Sequence, residues 1–176
     1  MIQNNSERDS RLDDIIEDSL YYKTFFGKSS DYYEERYNRF CAGESVTFNP
    51  YAFFLGVFWL SYRKMYIELI IWFLIVTVIE STLFFAFDVD NPSIDRIFNL
   101  FWLGIMGCSA NYFYFRRAKR TISNAKEIYT NTGDQLDYLE REGGTSYIGP
   151  IIVGFVLLAF FIGMIVLNEY TESIYY

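Results

Sequence analysis

The chain has 176 residues, of which 52% are hydrophobic, 21% aromatic and only 21% charged. That composition excludes a disordered or low-complexity polypeptide, which would lack the apolar side chains needed to bury a core. Fifteen Lys and Arg stand against 22 Asp and Glu for a formal charge of −7, and so acidic a balance excludes nucleic acid as an expected partner, because phosphate backbones are bound by basic faces.

The apolar residues are gathered into long uncharged runs, which points to a small all-α polytopic membrane protein. Histidine is absent, removing the commonest metal ligand and the usual general base. Cys41 and Cys108 are the only cysteines and form no CxxC pair, so neither a metal site nor a cofactor is expected. One thiol lies in a polar segment and the other in an apolar one. No bridge is expected, and two free thiols suit a reducing compartment.

Residues 1–45 read as N-terminal helices facing the cytoplasm. The first ten residues are polar and lack a secretory signal pattern. Leu12, Ile15, Ile16 and Leu20 then follow the spacing of an amphipathic helix. After a turn at Gly27–Ser30, Asp31 is placed to cap a second helix with Glu34 three residues on, its apolar face carrying Tyr33, Tyr37 and Phe40. Residues 46–64 follow as a short aromatic segment. Its apolar core, YAFFLGVFWL, suits an interfacial or re-entrant helix better than a span.

Three transmembrane helices are expected, over 65–87, 94–115 and 148–167. Between the second and third, 116–147 carries a stripe of Ala118, Ile122, Ala125, Tyr129, Thr132, Leu136 and Leu139 at steps of four and three, interrupted by Gly133. One stripe cannot bury itself, and the N-terminal helices are its expected partner. Gly143 and Gly144 should end this helix and turn the chain back. Small residues at Gly104 and Cys108, and at Ala159 and Gly163, have the spacing that lets helices approach closely in lipid, here read mainly as packing within the chain.

Lys and Arg set the orientation. Arg63 and Lys64 precede the first expected span, and Arg116, Arg117, Lys119, Arg120, Lys126 and Arg141 lie between the second and third. The connector at 88–93 and the tail at 168–176 are acidic or nearly uncharged. By the positive-inside rule the N-terminus is cytoplasmic and the C-terminus extracytoplasmic.

Several blocks carry a family likeness: Phe25-Phe26-Gly27-Lys28, Asp31-Tyr32-Tyr33, Phe48-Asn49, Ala52-Phe53-Phe54-Leu55-Gly56, Phe58-Trp59 and Tyr62-Arg63-Lys64-Met65-Tyr66. With the later Gly104, Gly107, Asn111 and Tyr114, they resemble the bacterial membrane proteins grouped as domain-of-unknown-function family 2628. Pro50 stands where that family often has tryptophan. The resemblance implies a helical fold and a place in the bacterial inner (plasma) membrane, and it brings no activity or catalytic residues.

Two groups of residues are candidates for sites. Trp59, Tyr62, Arg63, Lys64 and Tyr66 have the makeup of a membrane-interface anchor, with rings at the boundary and cations reaching headgroups. Glu80 is an acid well inside an expected span, where a charge is costly and usually paired. Counting depth along antiparallel spans puts Asn99 near its level and Arg96 somewhat above, while Glu68 falls near Asn111.

No catalytic constellation is present in the sequence, with no GxSxG elbow, no phosphate loop and no usefully spaced acid pair. The favoured function is therefore a non-enzymatic membrane anchor, scaffold or accessory subunit, with the lipid bilayer and a protein or second copy of the chain as partners. The alternatives are a membrane immunity or defence protein against a pore-forming toxin or phage, and a component of a transporter or channel.

Overall fold

A computed structural model of the chain describes residues 18–44, 46–87 and 92–175. The expected start of the first helix over 10–17 and the acidic connector at 88–91 lie outside them. Helix α1 covers 18–26 and runs through a 3-10 turn, Gly27–Ser29, into α2, Ser30–Cys41. Next come α3, Pro50–Leu55, α4, Val57–Tyr62, and α5, Tyr66–Phe87. The chain ends with α6, Pro92–Ile128, α7, Thr132–Glu142, and α8, Ile148–Tyr175. The described residues are helical or irregular, and none is in a strand.

Local chemistry explains most of these boundaries. Asn49 caps α3, its side chain accepting from the Ala52 N–H at 3.0 Å, with Pro50 in the first turn. Gly56, at φ 51° and ψ −122°, breaks the expected single aromatic helix into α3 and α4; only glycine enters that region without strain. Asn131 caps α7 by accepting from the Gly133 N–H at 2.9 Å, so the stripe breaks before Thr132 and not at Gly133. The cap expected of Asp31 is not made: Asp31 lies in the first turn of α2, behind Ser29.

Among the described residues two helices are long and apolar enough to cross a membrane, Tyr66–Leu83 within α5 and Ile148–Thr171 within α8, and the most apolar stretch of each contains no buried residue. The third expected span corrects to something else. Residues 94–115 do not form a separate helix; they are the first part of α6, which continues without a break for 37 residues, or ~55 Å at the usual rise. Asn99, Gly104, Gly107, Ser109 and Asn111 dilute its apolar content. Its later half is drawn into the protein, with Met106, Ala110, Asn111, Tyr114 and Phe115 all buried.

The core sits where the short helices meet that later half of α6. Phe25, Phe26, Tyr33, Trp59, Tyr114 and Phe115 are each at most 2% exposed and form one cluster with Ala52, Leu60 and Met65. The rings meet tilted or edge-on, as between Phe26 and Tyr33 at 5.3 Å and between Tyr33 and Tyr114 at 4.9 Å, the arrangements their quadrupoles favour. The stripe beyond Arg117 finds its partner in α1. Ala118, Ile122, Ala125 and Leu139 are buried in the same cluster as Tyr21 and Phe25, the Tyr21 hydroxyl donates to Gln135, and Lys126 pairs with Asp18 at 3.1 Å. Helix α3 packs on α6, and α4 packs on the start of α8.

Candidate functional site

The interface motif turns inward. Trp59 is 2% exposed and meets Tyr114 edge-on at 6.0 Å. Arg63 is 6% exposed, its guanidinium 4.6 Å above the Tyr33 ring and 5.4 Å from that of Tyr114, close enough for cation–π attraction. Lys64, at φ 57°, donates to the Arg141 carbonyl at 2.8 Å, capping the end of α7. Tyr62 stacks edge-on with Tyr147 at 5.3 Å. Of the five residues expected at the boundary, Tyr66 alone is exposed, at 46%. The sequence could not separate these cases, because a belt and a buried aromatic layer have the same composition.

Burial shapes the electrostatics of the layer. It pushes the Tyr33 hydroxyl above its ordinary range against the opposing pull of Arg63. The Tyr62 hydroxyl is drawn down, first by its hydrogen bond with Thr145, with Arg63 and Lys28 adding positive charge nearby. Arg63 Nη2 donates to Ser29 Oγ at 3.0 Å, while its Nε and Nη1 are buried with no hydrogen-bond partner among the described residues. Ser29, Tyr33, Trp59, Tyr62 and Arg63 line a cavity of about 440 Å³, together with Lys28, Asp31, Tyr32, Tyr51 and Leu55.

The polar residues expected to meet inside the membrane are dispersed. Glu80, Arg96 and Asn99 are exposed and make no hydrogen bond or ion pair among the described residues. Glu68 faces Arg117 at 4.0 Å rather than Asn111. Asn111 belongs to a buried network at the root of α3: Asn49 Nδ2 donates to Asn111 Oδ1 at 2.8 Å, and Asn111 Nδ2 donates to Thr47 O at 3.0 Å and Thr47 Oγ1 at 3.1 Å. Asn49 and Thr47 are residues that sequence reasoning missed, though the Asn-Pro pair at the start of α3 signals a cap.

This dispersal has a measurable consequence. Glu80→Gln is expected to leave thermal stability in detergent within about 0.5 kcal/mol of the parent. A larger loss would mean that Glu80 has a partner the described residues do not provide.

The fold thus defines an all-helical protein in which two bare apolar helices rise from an aromatic-packed helical layer. The family described as Protein of unknown function (DUF2628) matches residues 18–120, and the chain belongs to that family. The match takes in the aromatic layer, α5 and most of α6, and stops before α7 and α8. No curated protein and no solved structure matches the chain.

Proposed function

We propose that the protein is a non-enzymatic integral membrane protein, in which α5 and α8 anchor the aromatic layer at the cytoplasmic face as a scaffold or accessory subunit for a protein partner. One observation supports this reading above the others: Ile67, Phe73, Val78, Phe155, Leu158, Phe161 and Leu167 are all more than half exposed, on helices with few polar residues. Water does not tolerate so large a continuous apolar surface, and lipid does.

The beginning of α6 accompanies α5. Trp72 and Trp102 meet edge-on at 5.7 Å, so whatever surrounds α5 surrounds that part of α6. At ~55 Å, α6 exceeds the ~30 Å hydrocarbon layer, and its basic end, from Arg116 to Arg120, then lies with the aromatic layer in the cytoplasm of a bacterial cell. The stripe of α6 and α7 is spent on α1, so a partner would use the outer faces of α2 and α7.

The test is membrane extraction and topology. The full chain is expected to stay in the pellet after carbonate washing. In a Cys108→Ser background, the exposed Cys41 is expected to react with an impermeant maleimide only after the inner face is opened. Release by carbonate would end the anchor reading, and labelling in intact cells would reverse the orientation. The partner is sought by affinity purification of the full chain in mild detergent, and recovery of no specific protein counts against the scaffold role.

A further inference from the structure

We propose that the cavity at the head of α2 is a phosphate-binding site, taking the phosphate of a glycerophospholipid headgroup or of a small soluble phosphate ester. Its volume of about 440 Å³ falls in the range of small-molecule sites. Two of its lining side chains, Arg63 and Tyr32, hold buried polar atoms that have no hydrogen-bond partner among the described residues. Arg63 is 6% exposed, and one of its nitrogens is bound to Ser29 while Nε and Nη1 have no partner among the described residues. A buried cation with open donors is costly, and tyrosine faces offset only part of that cost. Two neighbouring oxygens of a phosphate complement a guanidinium fork directly.

The surroundings repeat the preference. Lys28 lies exposed at the mouth with no hydrogen bond or ion pair among the described residues, and the Tyr32 hydroxyl is buried without a partner. Helix α2, 12 residues long, begins at the cavity wall, and Ser29 makes no side-chain cap to it. The N–H of Ser30, the first residue of α2, is already given to the Gly27 carbonyl in the preceding turn, so the pull on an anion comes from Arg63 and Lys28. Asp31 is the one carboxylate lining the cavity, against two cations, so the pocket keeps a net positive charge. Tyr51, Leu55 and Trp59 form an apolar wall suited to the glycerol and first methylenes of a lipid.

Calorimetric titration of the full chain in maltoside micelles tests the assignment. Three probes are used: dioctanoyl phosphatidylglycerol, sodium phosphate, and dioctanoylglycerol, which lacks the phosphate. Saturable 1:1 binding of the phospholipid alone identifies a headgroup site, and binding of sodium phosphate as well identifies a site for soluble phosphate esters. Lys28→Gln is expected to weaken whichever probe binds by about tenfold, and Asp31→Asn to tighten it by about threefold. Both positions are exposed, so neither substitution threatens the fold as Arg63→Gln could. No saturable binding of either phosphate probe, equal affinity for dioctanoylglycerol, or affinities that are the same in the parent, Lys28→Gln and Asp31→Asn would overturn the proposal. The sodium phosphate arm does not depend on membrane insertion.

Discussion

Replacing Asn111 with leucine is expected to destabilise the protein by about 3 kcal/mol, a fall in Tm of about 10 °C for a chain of this size. The side chain is fully buried and ties three strangers together: the approach to α3 through Thr47, the α3 cap through Asn49, and its own helix α6. Asn49 is committed on every side, its N–H donating to the Gly107 carbonyl at 2.8 Å and its Oδ1 accepting from Ala52. Leucine keeps asparagine's branched skeleton but carries bulkier methyl groups, so the loss combines broken hydrogen bonds with overpacking of a fully buried site. It strands the Asn49 amide and the Thr47 carbonyl away from water, the costly outcome for a buried polar group. Asn111→Asp should be comparably damaging, because it sets a carboxylate oxygen against Thr47 O. Ser109→Ala is the control: its hydroxyl bonds only to the Ile105 carbonyl one turn back, and its Tm should hardly move. Thermal unfolding followed by circular dichroism in detergent reads all three. Equal Tm values for the leucine variant and the control would show that the network contributes nothing.

What could be read from the sequence depended on whether a residue's partner lies nearby along the chain. The bounds of α5 follow closely from its uncharged run, expected over 65–87 and found at Tyr66–Phe87, because apolar length is a local property. Thr132 of the stripe is exposed, but at Ala118, Ile122, Ala125 and Leu139 the stripe was likewise legible, and so was its need for the N-terminal helices. Two of its local details were not. Sequence reading divides α6 at Phe115 because charge begins there, yet a change from apolar to basic does not interrupt backbone hydrogen bonding, and no proline or glycine follows Gly107 before the helix ends. Conversely, Gly56 stops a helix that hydropathy alone would continue.

The candidate site was less legible for a different reason. Trp59 and Arg63 are an aromatic and a cation beside an apolar run, a pattern equally consistent with lipid headgroups and with a protein core. The choice was made by Phe25, Phe26, Tyr33 and Tyr114, which come from distant stretches and surround them. Glycines divide in the same way. The small-residue spacings singled out Gly104 and Gly163, but a side chain at either would meet nothing within 4 Å. The close approaches belong to Gly107, Gly143 and Gly149, which stand in no repeating pattern because each meets a different element.

Gly149 gives the second large effect. A methyl group there would lie 2.4 Å from the Ser61 carbonyl oxygen and 3.0 Å from its carbon, so it would press on backbone rather than on a side chain that could swing away. The seat is otherwise tight: Ser61 is fully buried, the Ser146 N–H donates to the Tyr62 carbonyl at 2.8 Å, and Tyr147 stacks on Tyr62. Gly149→Ala is therefore expected to lift α8 from α4 and lower stability by about 3 kcal/mol, in the range of overpacked contacts. Gly163→Ala in the same helix should do the opposite, adding up to about 1 kcal/mol from helix propensity with no contact to disturb. The comparison holds amino-acid type and helix constant and changes only what the new methyl meets. Unfolding of the two variants in the same detergent decides the matter. If Gly149→Ala proved as stable as Gly163→Ala, α8 would not be seated on α4 as described, and it would be joined to the aromatic layer chiefly through the turn at Gly143 and Gly144.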